Sequence, residues 1–169
     1  MANTPEVWLR GPIEGIPARL QPVAHSLLQS REELHATLQG FPASELWVTP
    51  GGAASMGLHA RHAAGSLDRL FTYARGEQLS AAQKAAMAAE PQPDLRPQAV
   101  PLLIAEFDEA IERAMAQLRG TDEATLTEAR GVGRAQLPTT VGGLLFHAAE
   151  HTQRHMGQLV TTAKILLNR

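Results

Sequence analysis

The sequence predicts an all-α protein: a four-helix bundle with a long crossover and a short extra helix. Apolar residues recur at helical spacing in four long segments, and the alternation typical of strands is absent. The chain has 169 residues, the size of one domain with a hydrophobic core. We therefore expect a single helical bundle domain over residues 1–169, with an irregular, glycine- and proline-containing arm over about residues 1–20.

The first two helices are indicated by their ends. The first is expected to begin at Pro22, because proline is tolerated in the first turn, and to end near Gly40. Pro50-Gly51-Gly52 then interrupts the chain. Ser55 is suited to cap a second helix that stops at Gly76.

The segment between the second helix and the next long helix is expected to contain the short extra helix. Ser80 and Gln83 resemble a capping box, which predicts the short extra helix. Prolines then exclude regular structure until a long helix begins near Pro97 or Pro101 and runs to Arg119.

The last segment begins with a predicted loop. Gly131, Gly133 and Pro138 favour irregular structure rather than a strand or helix. Thr139 or Thr140 is expected to cap the final helix, which should reach almost to the C-terminus.

The composition excludes several classes of function. Hydrophobic residues make up 44% and the net charge is -2, without a basic stripe that could follow nucleic acid. The chain has no cysteine, which rules out disulfides, thiolate ligands and a cysteine nucleophile. The sequence shows neither a signal peptide nor an apolar stretch long enough for a membrane. A soluble cytoplasmic protein is the default expectation.

Three histidines lie in a row on the last helix. His147, His151 and His155 are each four residues apart, so they lie within an arc of roughly 80°, on the side that carries apolar residues. Imidazoles on a core-facing side need a hydrogen bond, a partner charge or a metal. Chance explains one such pair easily, but it explains two overlapping pairs much less well. Hydrogen-bonded core histidines and a metal site both remain open.

Helix geometry limits how these rings could bind an ion. His147 and His155 are roughly 12 Å apart along the axis, whereas zinc–nitrogen bonds are about 2.0–2.1 Å. At most an adjacent pair can bind one ion, and a facing helix must supply another ligand. The second helix offers His59 and His62, and His62 shares its side of the helix with apolar residues. His25 and His35 are weaker candidates.

Competing motifs fit less well. His147-Ala148-Ala149-Glu150-His151 has the inverted zinc-peptidase pattern, but no acidic residue follows on that helix to serve as the third ligand. The Glu32-Glu33-Leu34-His35 segment occurs once, whereas a di-iron bundle needs the motif twice. Asp68 and Arg69 are as consistent with an ion pair to a neighbouring helix as with support of a histidine ligand.

Residues 63–70, which follow His62, and residues 151–159 form two distinctive segments. Through them the chain resembles the DinB/YfiT-like family of four-helix-bundle metalloenzymes, and the resemblance covers nearly the whole chain. Members of that family carry one metal-binding histidine on the second helix and a His-x-x-x-His pair before Gly-Gln on the fourth. By position, the resemblance implies the metal ligands His62, His151 and His155.

The same resemblance suggests the surroundings of the site. His147 matches a frequent family histidine, and with His59 and Arg69 it is expected to line the pocket or to support the ligands. Arg154 and Met156 depart from residues common in the family. Neither departure falls on a ligand position.

Three neutral histidines would leave a divalent ion, zinc or nickel, with an open coordination position. Such an ion lowers the pKa of water or of a thiol. The resemblance therefore implies a metal-dependent thiol S-transferase or a hydrolase acting on a small-molecule substrate. Since the chain has no thiol, a low-molecular-weight thiol would have to be the cosubstrate. The alternative is a non-catalytic metal- or small-ligand-binding bundle. Relatives of this type frequently pair, so a homodimer is expected.

Overall fold

The chain is mostly helical in the computed structural model, which describes residues 5–167. Five α-helices and a two-stranded sheet are present in this range. The helices are α1 (Gln21–Leu38), α2 (Met56–Ala74), α3 (Ala81–Ala89), α4 (Ala99–Arg119) and α5 (Val141–Leu167). The strands are β1 (Ala129–Val132) and β2 (Leu137–Thr140), and short 3-10 turns occupy parts of the connections.

The helix ends follow the local signals in the sequence. The Ser55 hydroxyl accepts a hydrogen bond from the backbone N–H of Leu58 at 3.2 Å and so caps α2. Ser80 and Gln83 form both bonds of a capping box at the start of α3. The Thr140 hydroxyl accepts from the N–H of Gly143 at 3.0 Å, which caps the first turn of α5.

The prediction that residues 129–140 contain no strand is wrong. Here β1 and β2 form an antiparallel hairpin in which Ala129 pairs with Thr140 and Val132 with Leu137. Its turn uses positive φ at Gly133 and Gln136, a conformation that glycine adopts without steric cost. Strands of four residues are too short to show a reliable alternation, and for that reason the pattern gave no signal.

The core lies between α1, α2, α4 and α5. Helix α5 packs against both α1 and α2, and α4 packs against the same two helices. The largest fully buried side chains come from all four of these helices and include Leu27, Leu67, Phe107 and Leu145. Helix α3 differs, because it packs beside α2 and contributes no buried residue. The contact between α2 and α5 therefore holds the inward-facing histidines.

None of the helices within residues 5–167 combines the length and the apolar character needed to cross a bilayer.

Candidate metal centre

Three histidines meet between α2 and α5. His62 projects from α2, and His151 and His155 project from successive turns of α5. Each offers a ring nitrogen, and the three nitrogens lie within 4.8 Å of one another. The His151 and His155 ring centroids are 4.6 Å apart, as expected for a spacing of four residues on one side of a helix.

The distances fit a shared ion. Nε2 of His62 lies 3.1 Å from Nε2 of His151. Two nitrogens bound to one tetrahedral zinc would be about 3.3 Å apart, given zinc–nitrogen bonds of about 2.0–2.1 Å. Nδ1 of His151 is buried and has no hydrogen-bond partner among residues 5–167. Nε2 of His151 is the atom that faces His62, so an ion shared with His62 would not pair with Nδ1, and the support for a shared ion is the distance between the two Nε2 atoms.

Glu90 orients the His62 ring. Nδ1 of His62 lies 2.7 Å from Oε2 of Glu90, and Nη1 of Arg69 lies 2.5 Å from the other carboxylate oxygen. Burial alone would raise the pKa of Glu90, but the hydrogen bonds from His62 and Arg69 outweigh it and lower the pKa. An ionised carboxylate can only accept hydrogen bonds. Nδ1 of His62 therefore donates, and its Nε2 keeps a free lone pair.

The other rings of the cluster are held neutral. Burial, together with repulsion from neighbouring histidines, lowers the pKa of His155 to about 4. The same two causes lower the pKa of His151 and of His59. Neutral imidazole is the form that binds metal ions, so His59, His151 and His155 are in that form at neutral pH.

The three residues expected around the ligands are placed differently from one another. His59 is buried, and its Nδ1 lies 3.0 Å from Nδ1 of His155. His147 is exposed, with its ring centroid 5.4 Å from that of His151. The guanidinium of Arg69 reaches the cluster through Glu90. His59 and His147 thus lie beside His155 and His151 of α5, while Arg69 acts on His62 of α2 through Glu90.

Glu150 lies at the exposed edge of the cluster. It accepts hydrogen bonds from Arg154, which lower its pKa, and its Oε2 lies 3.3 Å from Nδ1 of His147. An ionised carboxylate already paired with arginine is a poor general base. The geometry does not favour a peptidase built on the His147–His151 motif.

The remaining candidates lie outside the cluster. Nε2 of His35 lies 2.8 Å from Asp108, and Nε2 of His25 lies 3.0 Å from the carbonyl oxygen of Gly11. Asp68 accepts from the side-chain amide of Gln83 at 2.6 Å, which fastens α3 to α2. These groups stabilise contacts between elements.

Sequence reasoning missed Glu90. It is a single acidic residue between an alanine-rich helix and a proline-rich segment, and such residues are usually solvated. Its importance arises only because α3 folds back onto α2, which no local pattern indicates.

The comparisons with known proteins agree with the helical fold. The sequence profile of the DinB superfamily matches residues 26–159, a range that contains all three histidines. The structure is similar to that of a conserved protein from Enterococcus faecalis, with a TM-score of 0.70 and 18% sequence identity. The similarity covers 89% of this chain and 98% of the other. No curated protein matches this chain.

Proposed function

This chain belongs to the DinB superfamily, and we propose that it binds a divalent metal ion, zinc or nickel, through His62, His151 and His155. We further propose that α1, α2, α4 and α5 form the four-helix bundle of that family, with α3 in the crossover. The observation that carries the metal proposal is the convergence of three ring nitrogens within 4.8 Å. Chance can place a pair of histidines such as His151 and His155 on one helix. It does not explain why His62 of another helix meets them with its ring oriented by the buried carboxylate of Glu90.

The composition of the site favours ligand exchange over a closed structural site. Structural zinc sites are usually completed by four protein ligands, whereas catalytic sites keep a position open. Among residues 5–167, one group of three side chains has its possible ligand atoms within 4.8 Å of one another, and all three are histidines. His62, His151 and His155 are only partly buried, so a small molecule could approach them.

The proposed reaction class is transfer to a low-molecular-weight thiol, or hydrolysis. When bound, a divalent ion would supply a positive charge that lowers the pKa of a thiol or of water. The chain's own contribution is to hold the three rings in place and to keep His59 buried beside them. The exposed Arg154 and His147 lie at the edge, where a small-molecule substrate would enter.

A cobalt-substituted protein tests this proposal. The protein should bind about one cobalt(II) ion per chain. The visible spectrum of cobalt(II) depends on its ligands, so it should change when a small thiol is added and sulfur replaces oxygen as a ligand. The His151→Ala variant should show neither effect. His25→Ala, which alters a histidine outside the cluster, serves as the matched control and should behave as the original protein does. Stoichiometric cobalt whose spectrum responds to neither thiols nor small anions would exclude the exchange reaction and favour a structural metal.

A further inference from the structure

We infer that Glu90 is a positioning residue that fixes His62 in the Nδ1–H tautomer, so that Nε2 faces the other two histidines with a free lone pair. The role inferred for Glu90 depends on the proposed function, because the tautomer of His62 matters only if His62 binds a metal ion. The hydrogen-bond geometry that supports it exists in the chain alone and can be measured without metal.

Burial and charge make the arrangement specific. The Glu90 side chain is 8% exposed and that of Arg69 is 11% exposed. Arg69 is always protonated and binds one carboxylate oxygen, so the other oxygen is left for His62. A buried carboxylate that meets one permanent cation and one imidazole accepts from both. The proton of His62 is therefore held on Nδ1.

A glycine on α2 makes the approach of Glu90 feasible. A Cβ at position 65 would lie 2.5 Å from Oε1 of Glu90 and 2.8 Å from Nη1 of Arg69. Any side chain there would displace the carboxylate from its place beside His62. Gly65, in the middle of a helix where glycine is destabilising relative to alanine, is explained by this close approach.

The segment that carries Glu90 is held on both sides. Before it, the side chain of Gln83 donates to Asp68 at 2.6 Å. After it, the Trp47 indole N–H donates to the backbone carbonyl of Asp94 at 2.9 Å. Helix α3 has no buried residue of its own, so it is held against α2 by these contacts, by Glu90 and by the hydrogen bond that Arg61 of α2 donates to the carbonyl oxygen of Gln92 at 2.6 Å.

The Glu90→Gln variant separates positioning from packing. An amide has the shape of the carboxylate but only one accepting oxygen. Arg69 must keep an acceptor, because its buried cation cannot lose its proton, so the amide oxygen should turn to Arg69. The amide NH2 would then face Nδ1 of His62, which forces the proton onto Nε2. The single substitution should therefore reverse the His62 tautomer.

The test measures tautomer and metal affinity separately. Long-range ¹H–¹⁵N spectra of the metal-free protein at pH 7.5 should show His62 protonated at Nδ1, and Glu90→Gln should move the proton to Nε2. Zinc affinity should fall by about 10- to 100-fold, the usual cost of losing a partner of a ligating histidine. Glu77→Gln, which removes a carboxylate from an exposed pair with Arg75, should change neither.

Two further variants keep the inference falsifiable. Gly65→Ala should weaken zinc binding with every polar group retained, whereas Gly157→Ala, which meets no atom within 4 Å, should not. Adding Arg69→Met to Glu90→Gln frees the amide oxygen, so the double variant should recover the Nδ1–H tautomer and part of the affinity.

An unchanged His62 tautomer in Glu90→Gln would overturn the inference. Absence of zinc binding by the original protein would instead refute the proposed function and leave the tautomer result standing.

Discussion

Lowering the pH from 7 to 5 should reduce the free energy of unfolding of the metal-free protein, because the buried or partly buried rings of His59, His151 and His155 resist protonation. Burial and the neighbouring histidines lower the pKa of His155 from 6.5 to about 4. The unfolded chain therefore takes up a proton at a higher pH than the folded chain does. Stability is greatest above about pH 6.5 and is lost as the pH falls towards 4.

The size of the effect follows from the pKa difference. At about 1.4 kcal/mol per pKa unit, the full difference is about 3 kcal/mol, of which about 2 kcal/mol falls between pH 7 and pH 5. Because the His155 ring is only partly buried, solvent screening reduces this to about 1 kcal/mol from His155 alone. His151 and His59, whose pKa values are also lowered, act in the same direction.

Urea unfolding in the presence of a chelator measures this dependence. The free energy of unfolding should fall between pH 7 and pH 5, where most carboxylates remain ionised. The slope should be smaller in His155→Gln than in the original protein. His25→Gln, outside the cluster, should keep the original slope. A free energy that does not fall over this range, or one whose slope is unchanged in His155→Gln, would refute the reasoning.

Three other predictions concern ligand choice, the core and association. His151→Ala and His155→Ala should each abolish stoichiometric metal, as measured by elemental analysis, while His147→Ala should retain it; equal loss in the His147 variant would move the ligand pair up by one turn. Phe107→Ala should destabilise the protein by about 3–5 kcal/mol in chemical unfolding, since the side chain is fully buried, and a cost below about 1 kcal/mol would contradict that packing. Light scattering should give the mass of a homodimer, because apolar helix surfaces can serve a partner as well as the core; a monomer mass at all concentrations would contradict this.

Much of the helical structure could be predicted because its determinants are local. Ser55 and the Ser80–Gln83 pair satisfy N–H groups one turn away in the sequence, so capping requires no knowledge of the rest of the fold. The row on α5 was predictable for the same reason, since a spacing of four residues fixes His151 and His155 on one side of any α-helix.

The remaining features depend on how the elements meet. Helical spacing indicated that His62 could face inward, and the resemblance to a family identified it as a ligand. The structure brings both His62 and His59 near His155, with ring centroids 4.7 Å apart for His62 and 5.3 Å apart for His59. Glu90 could not be predicted, because its contact with His62 depends on the path of the chain between α2 and α4. The hairpin was missed because four-residue strands contain too few alternations.

X-ray absorption at the metal edge of the zinc-loaded protein tests the central claim most directly. The proposal predicts about one zinc per chain, three imidazole nitrogens at about 2.0–2.1 Å, and a remaining ligand lighter than sulfur. The His62→Ala variant should lose one imidazole or the ion itself. A spectrum showing fewer than three imidazoles, or a protein that retains no stoichiometric metal after loading and dialysis, would contradict the three-histidine site.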